Sequence, residues 1–401
     1  MKIEATGHLI DSGLFGKALD VITAGGGTYE VTTFELGRST EEESRVVLEL
    51  TAEDRDGLEA ILANLGALGF SPPDVRPAEL ARVEKPGVAP TGFYSTTNLA
   101  TRVYVEDAWV TVQRQRMDAV VVVAHSGGNT SARCVKLRDL HVGDDVVVGH
   151  GGVQVTPDTK VRDAADFAFM SSEISSERRV EQQVRLLAGR WRTIIRGGGR
   201  VVLVAGPVLV HSGQAQALAS IIRRGYVSAL LAGNALAVHD IEAAVLGTSL
   251  GVAQDTGQPV LHGHMNHMRA INLVRASGSI AKAVADGRIT RGIMHALTEA
   301  NVPYCLAGSI RDDGPIPDTE MDLIRAQDQY AELLDGAELV IVLGTMLHGI
   351  GTGNMLPAST QLVCVDINPA VAAKLSDRGS SHTTPVVTDV GLFVATLARV
   401  L

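Results

Sequence analysis

The C-terminal half of the chain alternates short apolar runs with longer helical stretches. Six such runs follow one another from residue 200 onward. They are Val201–Ala205, Val227–Ala232, Tyr304–Ala307, Leu339–Leu343, Leu362–Val365 and Val386–Val387. Each run is continuously apolar, which is typical of parallel strands that are covered on both faces. This alternation of strands and helices predicts an α/β domain over residues 197–401, built on a doubly wound parallel sheet.

Residues 1–75 predict a smaller α+β unit with the element order β-α-β-β-α-β. The first helix is expected over Ser12–Ala24, because three consecutive glycines follow it. Apolar residues alternate in the strand Arg45–Thr51, and the stripe from Leu58 to Leu65 has helical spacing. This element order is that of the ferredoxin-like split motif.

The middle of the chain predicts a linker and a second domain. Residues 71–92 contain five of the 14 prolines, and residues 76–92 are therefore expected to be a linker. Short β-branched runs punctuated by glycines follow, which favours a small β-rich domain over 93–196. A charged amphipathic helix over 176–196 is expected to end that domain.

Composition excludes several classes of partner. The chain has 401 residues, 45 acidic and 35 basic, and its aromatic content is 4%, so a nucleic-acid binder is not expected. The N-terminus lacks the apolar stretch of a signal peptide, and no apolar run is long enough to span a membrane. Cys134, Cys305 and Cys364 lie far apart and predict buried free thiols. A cytoplasmic location fits these features.

The segments that follow the predicted strands are rich in glycine and polar residues. In an open parallel sheet, ligands bind beyond the carboxyl ends of the strands. Glycine allows backbone N–H groups to approach a phosphate closely, and a helix N-terminus favours negative charge. We therefore predict that NAD binds along this edge. The candidate cofactor-binding residues are Gly206, Pro207, His211, Ser212, Gly213, Gly233, Asn234, Ala235, Gly308, Ser309, Gly344, Thr345, Met346, Asp366, Ile367, Asn368 and Asp389.

The signal in each single segment is weak. The GxGxxG fingerprint is absent after the first strand, and the nearest match, at 349–354, has the wrong spacing. Each glycine turn is equally explained as a helix cap. Asp366 suits an adenosine ribose, but it is also placed to cap a helix beginning at Pro369. The prediction depends on five such strand ends occurring in one sheet.

Two clusters of titratable residues have competing interpretations. His262, His264 and His267 have metal-like spacing, but no Asp, Glu or Cys nearby completes a ligand set, so no metal is predicted. His239 and Asp240 lie in one turn with Glu242, which is compatible with a site or with a capped helix start. The charged segment 311–313 is bounded by glycines, which favours a functional loop.

Longer motifs make the chain resemble a known family, the NAD-dependent ornithine cyclodeaminases of the archaeal type. The family also includes the C-terminal part of cyanobacterial arginine dihydrolase fusion enzymes, and it shares a region named after lysine-ketoglutarate reductase/saccharopine dehydrogenase. The matching segments include GHLIDSG at 7–13, QRMD at 115–118, MSSEISSER at 170–178, GNALAVHDIE at 233–242, GTSLG at 247–251, AGSIRDDGPIPD at 307–318, TMLHGIGTGNMLP at 345–357, VDINP at 365–369 and DRGS at 377–380. The resemblance implies an NAD-binding fold like that of deoxyhypusine synthase, which would explain the missing fingerprint, and a homodimer or homotetramer.

The activity that the resemblance implies is conversion of L-ornithine to L-proline and ammonia, with NAD regenerated in each turnover. Such a site must hold the α-carboxylate, keep an amine neutral and move protons. From these requirements and the strand-end positions, the candidate catalytic residues are Asp240, Asp312, His239, Arg116 and Asp118. The candidate substrate-binding residues are Arg116, Lys136, Asp240, Arg311 and Asp313. Asp240 and Asp312 are favoured as proton shuttles.

Three other functions remain open from the sequence. A saccharopine- or opine-type dehydrogenase would use the same fold and release NADH. A non-catalytic NAD-binding regulator is a second alternative, since ferredoxin-like units often bind effectors. Transfer chemistry of the deoxyhypusine-synthase kind is a third, but it needs a lysine, and neither Lys282 nor Lys374 lies at a glycine-flanked strand end.

Overall fold

A computed structural model describes residues 1–10, 13–37, 42–72, 76–126, 128–156, 176–254, 258, 260, 263–312, 314–377 and 383–401. The chain divides into two compact units. The first comprises Met1–Asp166 with Leu356–Ser359, and the second comprises Phe167–Met355 with Thr360–Leu401. No helix in the described part of the chain is long and apolar enough to cross a membrane.

The first unit begins with a small antiparallel sheet. Its strands are β1 (Lys2–Gly7), β2 (Thr28–Glu35) and β3 (Ser44–Thr51), in the order β1-β3-β2, and its helices are α1 (Leu14–Ala24) and α2 (Arg55–Ala67). Alternating apolar residues of β3 pack with both helices in one core. The predicted fourth strand is reduced to a single bridge between Glu4 and Ser71. The next residue, Pro72, has no N–H with which to extend the pairing.

A second sheet of seven strands confirms the β-rich region. The strands are β4 (Glu79–Arg82), β5 (Thr101–Val105), β6 (Ala108–Gln113), β7 (Val120–Ser126), β8 (Asn129–Val135), β9 (Asp145–Val148) and β10 (Val153–Val155). Their order is β10-β5-β6-β8-β7-β9-β4. Residues 76–92, predicted as a linker, include β4, which pairs with β9 along its whole length. Part of this segment is thus an edge strand of the sheet, flanked by the buried residues Ala78 and Val83.

The second unit is built on a seven-stranded parallel sheet. Its strands are β11 (Arg200–Ala205), β12 (Ala229–Gly233), β15 (Tyr304–Ala307), β16 (Thr319–Glu320), β17 (Ala337–Leu343), β18 (Gln361–Asp366) and β19 (Thr383–Val387). All neighbouring pairs are parallel, in the order β16-β15-β12-β11-β17-β18-β19. Every predicted strand is present, and the two-residue β16 is an addition. A short antiparallel hairpin, β13 (Thr248–Ser249) with β14 (Val252–Ala253), lies outside the sheet.

Two groups of helices accompany this sheet. The helices are α3 (Ser176–Arg196), α4 (Val208–His211), α5 (Ala215–Arg223), α6 (Asn234–Leu246), α7 (Asn266–Ser277), α8 (Ile280–Ala285), α9 (Ile293–Glu299), α10 (Leu323–Leu334), α11 (Met346–Met355), α12 (Pro369–Asp377) and α13 (Val390–Val400). α3, α5, α9 and α13 pack on one another, and α10, α11 and α12 form another packed series. The sequence assigned α3 to the β-rich domain, but its apolar stripe, including the fully buried Trp191, joins the core of the second unit.

The strand order locates the place where a ligand should bind. β12, β15 and β16 lie to one side of β11, whereas β17, β18 and β19 lie to the other. The order therefore reverses between β11 and β17. In doubly wound sheets, a crevice opens at this switch point beyond the carboxyl ends of the strands.

Candidate active site

Two glycines meet at the switch point. Gly206 follows β11 and Gly344 follows β17, and the Gly206 N–H donates to the Leu343 carbonyl at 2.9 Å. A Cβ on Gly206 would lie 2.2 Å from the Gly344 carbonyl oxygen. Gly344 has φ +59°, and a Cβ there would lie 2.2 Å from Val208 Cγ1. Both positions therefore require glycine, which lets the ends of β11 and β17 approach each other closely at the switch point.

The start of α13 lies beside the segment that follows β11. Asp389 Oδ1 accepts from the Leu392 N–H at 2.8 Å and caps α13. A Cβ on Gly391 would lie 2.8 Å from Ser212 Cβ, so Ser212 and this helix start are close neighbours. Gly213, with φ +75°, ends the turn after α4. Asp389 is thus a helix cap in the structure, and Ser212 lies next to it.

Two side chains in the segment after β18, Asp366 and Asn368, are placed to cap α12. Asp366 Oδ1 accepts from the Asn368 N–H at 2.8 Å, and Asn368 Oδ1 accepts from the Ala370 N–H at 3.0 Å. Asn368, and not Asp366, is therefore the side chain that accepts from the first turn of the helix. The Asp366 carboxylate stays at the end of its strand, and the adjacent Ile367 side chain is exposed.

Asn234, Asp312 and Ser309 form one polar network at the ends of β12 and β15. The buried Asn234 donates from Nδ2 to Asp312 Oδ1 at 3.0 Å, and its Oδ1 accepts from Thr319 Oγ1 at 2.9 Å. Asp312 Oδ2 accepts from the Ser309 N–H at 2.6 Å. The loop that carries Arg311 is thus held to the first residue of α6. Asp313 lies outside the described residues.

His239 and Glu242 form a buried pair on α6. His239 Nδ1 lies 3.1 Å from Glu242 Oε2, and the Glu242 carboxylate is fully buried. Its other oxygen accepts from Thr248 Oγ1 at 2.8 Å and from the Gly251 N–H at 3.1 Å. Burial opposes the charge, but the hydrogen bonds that Glu242 accepts, above all from the His239 ring, outweigh it and lower the pKa of this carboxyl. The Glu242 carboxylate thus accepts from His239 Nδ1, and in the neutral form of that ring Nε2 carries the lone pair.

A second imidazole lies against this pair. The His211 and His239 rings are 4.9 Å apart, and His211 Nδ1 lies 2.6 Å from Ser249 Oγ. Burial, with the neighbouring His239 ring adding to it, lowers the pKa of His211. His211 and His239 are thus in ring contact, and each is hydrogen-bonded to a further side chain, Ser249 or Glu242. The four side chains of this cluster come from α4, α6 and β13.

Asp240 faces away from His239, although it is the next residue. Its carboxylate is fully buried and accepts from the Ile293 N–H at 2.9 Å and the Met294 N–H at 2.8 Å. Both bonds are made to the first turn of α9. Burial raises the pKa of Asp240 to about 6. The sequence favoured Asp240 as a proton shuttle for the substrate, but in the structure its two oxygens are bonded to a helix start.

The raised pKa of Asp240 predicts a specific dependence of stability on pH. The folded protein binds this proton more tightly than the unfolded chain, whose carboxyl has its ordinary pKa near 4. The stabilising contribution is therefore complete below about pH 4 and is lost as pH rises through about 6. Relative to Asp240→Asn, the wild type is expected to lose about 3 kcal/mol of stability between these limits. Thermal unfolding of both proteins from pH 4 to 7.5 measures it, and parallel profiles would contradict it.

A cavity of about 610 Å³ lies beside Asp240, lined by residues of α5, α6 and α7 and by the β13–β14 hairpin. Its volume is within the range of small-molecule sites. Arg269 and Arg291 are the cations of its wall. Arg291 Nε donates to the Ala244 carbonyl at 2.9 Å, and Arg269 donates to Asn266 Oδ1 at 3.0 Å. Neither arginine has a sequence signal that separates it from other surface arginines.

Three candidate residues lie in the first unit. Arg116 and Asp118 belong to the segment between β6 and β7, where Asp118 has φ +57° and the Arg116 carbonyl accepts from Thr96 Oγ1 at 2.7 Å. Lys136 follows β8 and forms an ion pair with Asp139 at 3.3 Å. Most of the 170–178 segment lies outside the described residues.

The remaining residues singled out in the sequence are the histidines at 262, 264 and 267 and the three cysteines. His267 lies in the first turn of α7, whereas His262 is not among the described residues. Within the described ranges, no group of three or more His, Cys, Asp or Glu residues is arranged to hold a metal. All three cysteines are buried and free, as predicted.

The strand order, the glycine-lined crevice and the acid at a strand end define an α/β protein of the Rossmann class. Family models agree: residues 185–397 match "Arginine dihydrolase ArgZ-like, C-terminal, Rossmann fold", residues 100–184 match the first region of the same C-terminal part, and residues 1–99 match the "LOR/SDH bifunctional enzyme conserved region". The chain belongs to the family that unites the archaeal ornithine cyclodeaminases with the C-terminal part of ArgZ-like arginine dihydrolases.

Three relatives illustrate the family. An ornithine cyclodeaminase of Methanocaldococcus jannaschii is 44% identical, over 100% of this chain and 96% of its own. The crystal structure of apo ArgZ, a cyanobacterial arginine dihydrolase, has 45% identity and a TM-score of 0.87, and covers 99% of this chain and 57% of that one. The ternary complex of AgrE with ornithine and NAD⁺, from a Nostoc protein, has 46% identity and a TM-score of 0.54, over 100% of this chain and 58% of that one. The chain thus spans little more than half the length of ArgZ and AgrE.

Proposed function

We propose that this protein is an NAD-dependent ornithine cyclodeaminase, which converts L-ornithine to L-proline and ammonia. The observation that carries the proposal is the pairing of a glycine-lined crevice at the sheet's switch point with buried proton-transfer groups at the same carboxyl edge. Full-length similarity to ornithine cyclodeaminases supports it, as does the complex of the relative AgrE with ornithine and NAD⁺.

The crevice residues fit a dinucleotide. Gly206 and Gly344 have no room for a Cβ, so only glycine lets the ends of β11 and β17 pack this closely at the crevice where we propose that the cofactor binds. Ser212 offers a hydroxyl to a phosphate. Asp366 offers a carboxylate to a ribose, since Asn368 takes over the capping of α12. NAD⁺, if bound there, would supply reversible hydride chemistry: the oxidised form would accept the hydride of the substrate Cα, and the reduced form would give it back to the cyclic imine.

The proposed roles of the polar residues follow from their geometry. His239 accepts a proton at Nε2, because Glu242 holds the other ring nitrogen protonated. His211 contacts the His239 ring and is hydrogen-bonded to Ser249, so these two residues would carry the proton onward from His239. Asn234 and Ser309 orient Asp312, whose carboxylate is offered to a substrate ammonium group. Arg116 and Lys136, in the first unit, remain proposed ligands of the substrate carboxylate, with Asp118 as an accompanying acid.

Isotope-labelled ornithine tests the proposal most directly. The protein is incubated with NAD⁺ and with ornithine, lysine or 2,4-diaminobutyrate, and products are identified by mass. Ornithine deuterated at Cα should give proline that keeps the deuterium, because the same hydride leaves and returns. Ornithine labelled with ¹⁵N at the α-amine should release labelled ammonia, because the δ-nitrogen closes the ring.

Other outcomes would overturn the proposal in favour of a named alternative. NADH accumulating in proportion to product would indicate a dehydrogenase of the saccharopine or opine type. Tight NAD⁺ binding without turnover of any diamino acid would indicate a regulatory protein.

The proposal also includes the assembly and location of the protein. We propose a homodimer or homotetramer in the cytoplasm, and light scattering coupled to size-exclusion chromatography tests the assembly.

A further inference from the structure

A tyrosine and a histidine that the functional assignment has not used meet at the carboxyl end of β12. The Tyr330 hydroxyl on α10 lies 2.7 Å from the Ala232 carbonyl oxygen and 3.0 Å from His348 Nδ1 on α11. Tyr330 is 4% exposed, whereas the His348 side chain is half-buried. The other ring nitrogen, His348 Nε2, lies beside Gly233, where a Cβ would be 3.0 Å away.

The direction of each hydrogen bond follows from the groups involved. A carbonyl oxygen only accepts, so the single hydroxyl proton of Tyr330 goes to Ala232. The phenol oxygen must then accept from His348, which puts the imidazole proton on Nδ1. Nε2 carries the lone pair in that tautomer. Tyr330 thus sets which nitrogen of His348 can take up a proton.

The surroundings keep this imidazole neutral at pH 7. Burial lowers the pKa of His348. Tyr330 and Cys305 are neutral as well: burial raises the pKa of Tyr330, and burial, with the charge of Glu320 adding to it, raises the pKa of Cys305 to about 11. Gly233 has no side chain to cover Nε2. The ring therefore presents a neutral acceptor at the end of the strand that also carries Asn234.

The chemistry of cyclisation needs more than one acceptor. The α-nitrogen must be neutral when the hydride leaves Cα, and the δ-nitrogen must be neutral when it attacks that carbon. Each ammonium group of ornithine therefore gives up a proton, and protons return to the departing ammonia and to the proline nitrogen. His239 provides one acceptor in the proposed function.

We propose that His348 is the second proton acceptor of the reaction, acting at Nε2, and that Tyr330 is the residue that positions it. This inference rests on the proposed function and deepens it. Tyr330 lies on α10, a helix of the core, and would affect catalysis only through His348.

The tautomer of His348 tests the structural half of this inference without turnover. Histidine ring nitrogens are labelled with ¹⁵N, and the His348 signals are identified at pH 7 by their loss in His348→Asn. The wild type is expected to show a proton on Nδ1 and none on Nε2. Tyr330→Phe removes the phenol oxygen and should release the ring to the other tautomer. A wild-type ring protonated on Nε2 would overturn the inference.

Kinetics test the catalytic half. His348→Asn is expected to lower kcat about a hundredfold, at the lower end of the range for acid–base groups, while the Kd for NAD⁺ stays within about twofold. Tyr330→Phe is expected to lower kcat by less, about tenfold, because it leaves the imidazole in place. Tyr226→Phe is the matched control, because the Tyr226 hydroxyl donates to the Leu401 carbonyl at 2.9 Å and, among the described residues, forms no hydrogen bond with a histidine. Unchanged kcat in Tyr330→Phe would overturn this inference alone. A wild type that never forms proline would overturn it together with the proposed function.

Discussion

Replacing Glu242 by glutamine is expected to lower kcat for ornithine about 10²- to 10³-fold. The Glu242 carboxylate is fully buried, and His239 Nδ1 lies 3.1 Å from it. Glutamine keeps the size of the side chain but removes the charge that retains the proton on Nδ1. It also has one acceptor oxygen where Glu242 has two, so when that oxygen accepts from Thr248 and Gly251 its NH2 group faces His239 Nδ1 and cannot accept from it. His239 then loses the tautomer in which Nε2 is the acceptor. The histidine of a Ser-His-Asp triad loses its working tautomer in the same way when the Asp is replaced by Asn.

The effect should appear in kcat and spare cofactor binding. Stopped-flow or steady-state assays give kcat, and calorimetry gives the Kd for NAD⁺, which is expected to stay within about twofold. A matched control exists on α9, where His295 Nδ1 and Glu299 Oε2 are also 3.1 Å apart but Glu299 is exposed. Glu299→Gln should leave kcat unchanged. If Glu242→Gln turned over ornithine at the wild-type rate, proton transfer through His239 would have to be abandoned.

The sequence predicted the parallel sheet well because its strands are buried on both faces. Continuous apolar runs such as Val201–Ala205 have few alternatives to a central strand. β16 was missed, because Thr319 and Glu320 carry no apolar signal and pair with β15 only over two residues. β4 was hidden in a proline-rich stretch, since a four-residue edge strand depends on its partner β9 more than on its own composition.

The strand-end rule correctly predicted that Gly206, Gly344, Asn234 and Asp312 lie beyond the carboxyl ends of their strands. It could not say which way neighbouring residues on α6 point. One residue turns an α-helix by about 100°, so Asp240 faces the start of α9 while His239 faces its partner three positions on, Glu242. The sequence alone therefore does not show which of these three polar residues faces a possible ligand and which one stabilises a helix.

Tyr330 had no signal that could have found it. It is a buried residue of an amphipathic helix, and in the sequence it looks like any core aromatic. Its contact with His348 crosses 18 positions and joins two helices. Residues that act through a partner are seen only when the fold brings that partner within hydrogen-bond distance.

Replacing Gly206 by alanine is expected to raise the Kd for NAD⁺ at least about tenfold and to lower the free energy of unfolding by about 1–3 kcal/mol. The added Cβ would lie 2.2 Å from the Gly344 carbonyl oxygen, a backbone atom that no rotamer change can move. The ends of β11 and β17 must then separate or tilt. Either change displaces the backbone groups that we propose to face the cofactor.

Calorimetric titration with NAD⁺ and urea unfolding measure the two effects separately. Gly189→Ala is the matched control, because Gly189 lies within α3 and a Cβ there meets nothing within 4 Å. Alanine at a helical position should leave the Kd for NAD⁺ unchanged and stabilise the protein by up to about 1 kcal/mol. A Gly206→Ala protein that is destabilised yet binds NAD⁺ with wild-type affinity would show that the cofactor lies away from the switch point, because the distortion would then have reached the strand ends without reaching the ligand.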